Sequence, residues 1–359
     1  MTAATLAIED EHIRTAKEAR LRYVSDELPG YSRRHAGKGF VYYDQNSERI
    51  TDVATLKRIR ALVLPPAWKD VWICSFPRGH IQATGRDDRG RKQYRYHDEW
   101  AEARGQQKFS RTLAFARALP KVRLAVEDDL RGKPLARRTV LATVVRLLET
   151  TLIRVGNREY AQTNKSYGLT TMRTRHVEVN GTRLHFDFVG KGGKRHVLEV
   201  SHPRIARIVR SLQELPGQEL FQYVDESGER QTVDSADVND YLREISGDDF
   251  TAKDFRTWAG TVLAAWALSE FEKIDSKAAA RRNITAAIKR VAAQLGNTPA
   301  VCRSSYIHPE ILTCYVDGSL IENLRGEIKA TLREELTGLT SEETAVLVLL
   351  LSRLEDENS

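Results

Sequence analysis

Near residue 100 the hydrophobic pattern of this chain changes period, from the alternation of strands to the three-and-four spacing of helices. Upstream, Gly39-Phe-Val-Tyr-Tyr43, Val71-Trp-Ile-Cys74, His80-Ile-Gln-Ala83 and Gln93-Tyr-Arg-Tyr96 are short runs rich in β-branched and aromatic residues, bounded by turn formers, a composition that suits a half-buried pleated surface. One helix is expected among them, Thr51–Ala61, ended near Pro65-Pro66 because proline cannot continue a helix. Downstream, Leu141, Val144, Val145, Leu148, Leu152 and Val155 recur at i, i+3, i+4, i+7, i+11 and i+14, one face of an amphipathic helix that ends on Arg154. Ser235 is placed to cap a helix with the face Val238, Tyr241, Leu242, Ile245. Phe255, Ala259, Val262, Leu263 and Trp266 mark another, and Thr340 with Glu343 forms a capping box before a Leu-rich helix.

A β island interrupts the helical part. Val177-Glu-Val179 and Leu184–Val189 flank Asn180-Gly181, a type I′ hairpin signal because both turn positions need positive φ. A second turn, Lys191-Gly-Gly-Lys194, leads to a strand at His196–Val200, completing a three-stranded antiparallel sheet with lysines at its tip. The fold class is therefore α+β: a small β-rich N-terminal domain over residues 1–103 and a larger, mainly α-helical domain over residues 104–359 that contains the small sheet. The polar stretch 101–108, with Gly105, is read as a linker or hinge.

A chain of 359 residues can bury a sizeable core without disulfides or metals. The longest strongly apolar run is Ala345–Leu351, too short to span a bilayer, and the N-terminal stretch has no signal-peptide core. Cys74, Cys302 and Cys314 show no pairing or ligand spacing, which fits a reducing compartment such as the cytoplasm. The net charge of +7 conceals an asymmetry: residues 322–359 carry nine acidic and four basic side chains, so residues 1–321 carry +12. A body that basic suits a polyanionic partner. The acidic segment is read as a packing helix with a solvated face.

Common catalytic patterns are missing. Gly193-Lys194 is followed by Arg195 without the upstream glycine of a phosphate-binding loop, and no D-x-D or H-x-x-x-H pattern falls at a core position. No cofactor, no nucleotide and no metal are expected. What remains is a set of phosphate-type donors and one tyrosine: Arg154 in Leu152-Ile-Arg-Val-Gly-Asn157, Lys191 at the hairpin tip, Arg256 near a helix start in Lys253-Asp-Phe-Arg-Thr-Trp258, and Asn297 and Tyr306 in the stretch Leu295–Ile307. Gly296 can close one helix and Thr298-Pro299 open the next, so Asn297 sits on a tight junction. Singly, each has an ordinary reading: a snorkelling arginine, a solvated lysine, a turn asparagine, a packing tyrosine.

Together their order and local words resemble the type IB DNA topoisomerases of the bacterial and poxvirus branch. The matching words are Leu-Ile-Arg-Val-Gly-Asn at 152–157, Tyr-Gly-Leu-Thr-Thr at 167–171, Phe-Val-Gly-Lys at 188–191, Lys-Asp-Phe-Arg-Thr at 253–257, and Asn297-Thr-Pro with Tyr306 nine residues on. Leu64-Pro-Pro-Ala-Trp68, Gly79–Gly85 and Gly90–Tyr96 extend the resemblance through the first domain, so that it covers roughly residues 30–310.

The resemblance implies a tyrosine recombinase/type IB catalytic fold and a monomer that relaxes supercoiled duplex DNA through a transient 3′-phosphotyrosine link. Tyr306 would be the nucleophile, Arg154, Arg256 and Asn297 the donors to the non-bridging oxygens, and Lys191 the general acid for the 5′-oxygen. Gln93, Tyr94, Tyr96, Arg91 and Tyr160 would contact DNA, within a basic run that also holds Arg86, Arg89, Lys92 and Arg95. The two domains would close on the duplex as a clamp hinged at 101–108. Two features depart from the poxvirus pattern: Asn297 stands where those relatives have histidine, and Asn157 and Glu159 replace basic residues. The alternative is a tyrosine site-specific recombinase, which shares the arginine, lysine and tyrosine logic. That class carries H-x-x-R where this chain has Lys253-x-x-Arg256 and begins with a helical domain.

Overall fold

The computed structural model describes residues 12–37, 39–88, 90–271, 276–325 and 337–357. Arg89 of the basic run and residues 326–336 of the acidic segment lie outside them. The chain divides into two compact units, Met1–Ser110 and Arg111–Ser359.

In the first unit, β1 (Tyr31–Ala36), β2 (Gly39–Tyr43), β3 (Lys69–Ile73), β4 (Ile81–Arg86) and β5 (Lys92–Tyr96) form an antiparallel sheet in the order β2-β1-β3-β4-β5. Helix α1 (Val53–Ala61) starts where the Asp52 carboxylate accepts from the Thr55 amide at 2.7 Å. It buries Ile59 against Val71, Ile73 and Ala83. β1 had no signal in the sequence because Tyr-Ser-Arg-Arg-His-Ala carries little apolar surface. Its arginines supply some instead: the Arg33 guanidinium lies 4.1 Å from the Phe40 ring centre and that of Arg34 4.8 Å from Tyr43. Arg33 also donates to the carbonyls of Pro65 at 2.9 Å and Trp68 at 2.8 Å.

Helix α2 (Asp98–Asp129) runs through residues 101–108, so the segment read as a linker is helical. A single mid-helix glycine such as Gly105 costs about 1 kcal/mol relative to alanine, which weakens a long helix without ending it. The second unit is built around α3 (Arg137–Thr151), which buries Val140, Leu141, Val144, Val145, Leu147 and Leu148. After the short α4 (Arg158–Asn164) come β6 (Val177–Asn180), β7 (Arg183–Val189) and β8 (Arg195–Ser201), paired in that order. Gly181 takes φ 59° at the tight turn. Leu184, Phe186 and Phe188 point into the core while Arg183, His185 and Asp187 alternate outward. Behind the sheet lies α5 (Pro203–Gln213), which buries Ile205, Ile208, Val209 and Leu212.

A two-stranded ribbon, β9 (Gln222–Val224) with β10 (Arg230–Thr232), precedes α6 (Ser235–Ser246). The residue capping α6 is Asp234, not Ser235: its carboxylate accepts from the amides of Ala236 and Asp237, and being ionised it is the stronger acceptor. The remaining helices are α7 (Ala252–Ser269), α8 (Lys277–Gln294), α9 (Pro299–Tyr306), α10 (Pro309–Asp317), α11 (Leu320–Arg325) and α12 (Ser341–Glu357). The expected capping box opens α12, with Glu343 N donating to Thr340 Oγ1 at 3.2 Å and Thr340 N to Glu343 Oε2 at 2.9 Å. Val346, Leu347, Leu349 and Leu350 of α12 are fully buried.

Arg123 of α2 donates to Glu149 of α3 at 2.5 Å, to Glu343 of α12 at 2.8 Å and to the Gly338 carbonyl at 2.7 Å. One guanidinium thus separates two half-buried carboxylates. Arg123→Met should destabilise the protein by about 3 kcal/mol, the low end for breaking a buried ion pair. Urea denaturation at pH 7 reads that loss.

Candidate functional site

Helix α3 does not reach Arg154. It stops at Thr151, and Leu152 turns left-handed at φ 56°, ψ 18°; no glycine or proline marks the break, which is why the apolar period reads on through Leu152 and Val155. The chain beyond runs extended, and the Tyr-Gly-Leu-Thr-Thr word packs against it. Leu169 N donates to Arg154 O at 2.9 Å, Thr170 N to Val155 O at 2.7 Å, and Tyr167 N to Val189 O of β7 at 2.8 Å. A Cβ at Gly168 would lie 2.5 Å from Arg154 O and 2.6 Å from Gly156 Cα, so only glycine lets the two segments close. Two separate words of the sequence form one joint, and that joint aims Arg154.

Arg256, on the second turn of α7, is 4% exposed. It donates to the Leu152 carbonyl, which the end of α3 leaves free, and to the Leu295 carbonyl at 2.6 Å. Leu295 and Gly296 (φ 61°) end α8. Asn297 follows, 8% exposed, and its Oδ1 accepts from Arg154, which also reaches Gly296 O at 3.3 Å. Thr298 caps α9 and Pro299 is its first residue, as the sequence implied. Tyr306 is the last residue of α9, its ring centre 5.2 Å from the Arg256 guanidinium. Gly260 of α7 lies against the Tyr306 backbone, where an added Cβ would come within 3.1 Å of Tyr306 Cβ.

Lys191 joins the group from the hairpin. With Arg154, Gly156, Asn157, Tyr160, Tyr167, Lys253, Arg256 and Tyr306 it lines a cleft of about 280 Å³. Its ammonium stands 5.4 Å above the Tyr160 ring. Asn297 is not among the lining residues and is tied to the cleft through Arg154. Lys253, Lys194, His196, Gly260 and Gly168 also belong to the neighbourhood, and none was singled out from the sequence. The glycines left no signal beyond their type. Lys253 lay in the quoted word Lys-Asp-Phe-Arg-Thr without a role.

The electrostatics are one-sided. Among the described residues lining the cleft are four cations, Arg154, Lys191, Lys253 and Arg256, and no carboxylate. Burial lowers the pKa of both arginines, and at Arg154 the charge of Arg256 adds to the effect. At the site two buried donors, Arg256 Nε and Asn297 Nδ2, have no partner among the described residues, and such groups carry a desolvation cost unless something accepts from them. Cys302, one turn before Tyr306, is buried, and its thiol is pushed up to about 11, so it stays protonated. No group of three or more His, Cys, Asp or Glu among the described residues is placed to hold a metal ion. The arrangement can hold a dianionic tetrahedral or trigonal-bipyramidal group beside a phenol.

The candidate DNA contacts of the first unit lie on edge strand β5 and, for Arg91, just before it; along the strand, alternation divides them. Tyr94 and Tyr96 are stacked on one face at 5.7 Å, 44% and 41% exposed, with the Lys92 ammonium 5.5 Å from Tyr94. Gln93 lies on the opposite side of the pleat and donates to Asp87 at 3.1 Å, and Arg91 donates to the same carboxylate at 2.8 Å.

Comparison with known proteins points to one family. A family model described as "Eukaryotic DNA topoisomerase I, catalytic core" matches residues 97–335, and one described as "Bacterial DNA topoisomerase IB, N-terminal domain" matches residues 39–87. The chain is 34% identical to DNA topoisomerase 1B of Acanthamoeba polyphaga mimivirus over 80% of its own length and 88% of the relative's. It is 22% identical to DNA topoisomerase 1B of vaccinia virus over 67% of this chain and 74% of that one, and 23% identical to DNA topoisomerase 1 of rabbit fibroma virus over the same shares.

A cleft with this charge should take an oxyanion. Sulfate at ten times its dissociation constant should stabilise the fold by about 1.4 kcal/mol, read as a rise in melting temperature over a chloride control of equal ionic strength. Arg154→Ala should abolish that increment.

Proposed function

This chain belongs to the type IB DNA topoisomerases, enzymes that relax supercoiled duplex DNA, and on that premise we propose that Tyr306 cuts one strand by attacking a backbone phosphate. The phenol oxygen bonds to phosphorus, the bond to the 5′-oxygen breaks, and the strand is left joined to the protein through a 3′-phosphotyrosine. The phosphorus gains charge as it becomes five-coordinate. Arg154 and Arg256 donate to its non-bridging oxygens from fixed positions, in the place a metal would otherwise fill. Asn297 supplies a further N–H from Nδ2, the buried donor that has no acceptor among the described residues. The observation that carries this reading is the buried Arg256 and half-buried Arg154 guanidiniums lining one cleft with Tyr306, Arg256 against its ring, with no carboxylate among the described lining residues to compensate them.

Lys191 gives its proton to the departing 5′-oxygen, since an alkoxide leaves poorly unless protonated. Its place on a hairpin tip between two glycines, Gly190 and Gly192, lets it reach into a groove. Resealing reverses the steps: the 5′-hydroxyl attacks the phosphotyrosine and the phenol leaves. The ester conserves the bond energy, so neither ATP nor a metal is required. Between the two steps the downstream duplex rotates.

Tyr94, Tyr96 and Gln93 of β5, Arg91 just before it and Tyr160 of α4 contact the duplex. The rings offer flat apolar faces, and the basic side chains offer phosphate donors. The enzyme works as a monomer on the bacterial nucleoid in the cytoplasm. Asn297 is neutral and stabilises the transition state by a hydrogen bond alone, so the two arginines carry its charge.

Supercoiled plasmid incubated in EDTA without ATP tests the proposal. The wild type should relax it and form a covalent adduct on the 3′ side of the nick, while Tyr306→Phe should do neither. Arg256→Ala should slow single-turnover cleavage by roughly 10²–10³. A Tyr306→Phe protein that still relaxes plasmid would overturn the nucleophile assignment, and a requirement for magnesium or ATP would overturn the mechanism.

A further inference from the structure

We propose that His196 is a positioning residue for strand cleavage: its imidazole is the spacer that holds the Lys191 hairpin in register with the Arg154–Asn297 pair. The inference rests on the assignment of Lys191, Arg154 and Asn297 to the reaction. It concerns a different residue, one that reaches no reacting atom in the argument above.

His196 is on β8, directly opposite Phe188 of β7. Its ring lies flat on the Phe188 ring, centres 5.1 Å apart and planes 12° apart. Two glycines close the remaining sides. A Cβ at Gly190, the residue before Lys191, would lie 2.7 Å from both Cδ2 and Nε2 of the imidazole, and a Cβ at Gly296, the residue before Asn297, 2.8 Å from its Cε1. The same hypothetical Cβ at Gly296 would stand 3.8 Å from Arg154 Nη1. One ring is therefore in contact range of the backbone immediately preceding two of the five proposed catalytic residues, and close to the guanidinium of a third. Both contacts exist because the backbone there is bare.

A hairpin tip held only by its own turn moves freely, so its lysine would visit the leaving oxygen for a fraction of the time. Wedging the base of the tip against the α8–α9 junction restricts it at the point where Gly190 and Gly296 face the same ring. Lys194 adds a second tie across this gap, donating to Asn297 O at 3.3 Å. Among the described residues the imidazole makes no hydrogen bond, so its contribution here is shape. Neutrality matters too. Burial first, and then Arg154, Arg256 and Lys194, lower its pKa, and a neutral ring adds no third positive charge beside two guanidiniums.

A double-mutant cycle on single-turnover cleavage, with DNA affinity and melting temperature measured on every protein, tests this. His196→Ala should slow cleavage by about 10²-fold, the cost of a misplacement on the order of 1 Å, with DNA affinity within about threefold of wild type, too small a change to account for the loss. Gly190→Ala takes no strained backbone angle and meets the ring, so it alone should slow cleavage at least about tenfold. In the His196→Ala background the same methyl enters vacated space and should cause no further loss. Independent, multiplicative losses would overturn the inference, as would equal losses of affinity and cleavage or a His196→Ala protein of full activity. If His196→Ala fails to fold, His196→Phe, which keeps the stack but enlarges the wedge, takes its place and must also be non-additive with Gly190→Ala. A Tyr306→Phe control in the same assay separates the outcomes: if it is inert, the catalytic reading stands whatever the cycle shows.

Discussion

The carbonyl oxygen of Leu152 is the point through which the second unit is organised. Helix α3 ends there on a left-handed leucine, a conformation that costs a non-glycine residue about 1–3 kcal/mol, and the break frees a carbonyl that the buried Arg256 takes up. Had the helix continued, that oxygen would have bonded within α3 and Arg154 would have followed the helix axis. Instead the chain straightens, and Leu169 and Thr170 zip against Arg154 and Val155. The strain at Leu152 is offset by three things at once: the bond from Arg256, the joint with residues 167–171, and the burial of the α3 core.

Taking a guanidinium out of water is unfavourable: burial lowers the pKa of both Arg154 and Arg256, and at Arg154 the nearby charge of Arg256 lowers it further. Among the described residues backbone carbonyls, those of Leu152, Leu295 and Gly296, and the Asn297 side-chain oxygen meet the guanidiniums. A carbonyl dipole orients a guanidinium without neutralising it. A carboxylate in the same place would form an ion pair and leave little field for a phosphate. Orientation by dipoles thus leaves the positive charge available, and the donors are set before the substrate arrives. The same logic distinguishes Arg123, whose role is structural and whose partners are Glu149 and Glu343.

The first unit applies the opposite arrangement. On β5 and the turn before it, Arg91 is paired with Asp87 and Lys92 with Asp26, and the stacked Tyr94–Tyr96 pair stands exposed beside them together with Arg95. Such partners hold long side chains in place at the surface, where single ion pairs add little stability. Division of β5 by its pleat puts the tyrosines and Gln93 on different faces, so a duplex touching both would meet them along the sheet edge. The aromatic pair is the better-formed surface of the two.

Much of this could be read along the chain. The change of period near residue 100 announced a β-rich part and a helical part, Asn180-Gly181 announced the hairpin, and Gly296 with Thr298-Pro299 announced the junction that carries Asn297, each because a local backbone geometry admits few residue types. The five proposed catalytic residues each had an ordinary reading taken singly; only their order and local words, through the family resemblance, set them apart. Strand β1 and the end of α3 were not legible because they are decided by partners distant in sequence, strands on both sides of β1 and Arg256 and Leu169 at the α3 break; the cap of α6 and the helical course of residues 101–108 were misread locally, an adjacent carboxylate outcompeting Ser235 and one glycine failing to end a helix. The sequence alone determined which side chains this protein has available and roughly which elements carry them. Only the tertiary structure decided that Arg154, Arg256, Asn297 and Tyr306 meet, that His196 is wedged between two glycines, and that no carboxylate among the described residues lines the cleft, because convergence depends on packing across more than a hundred residues, and no local propensity encodes it.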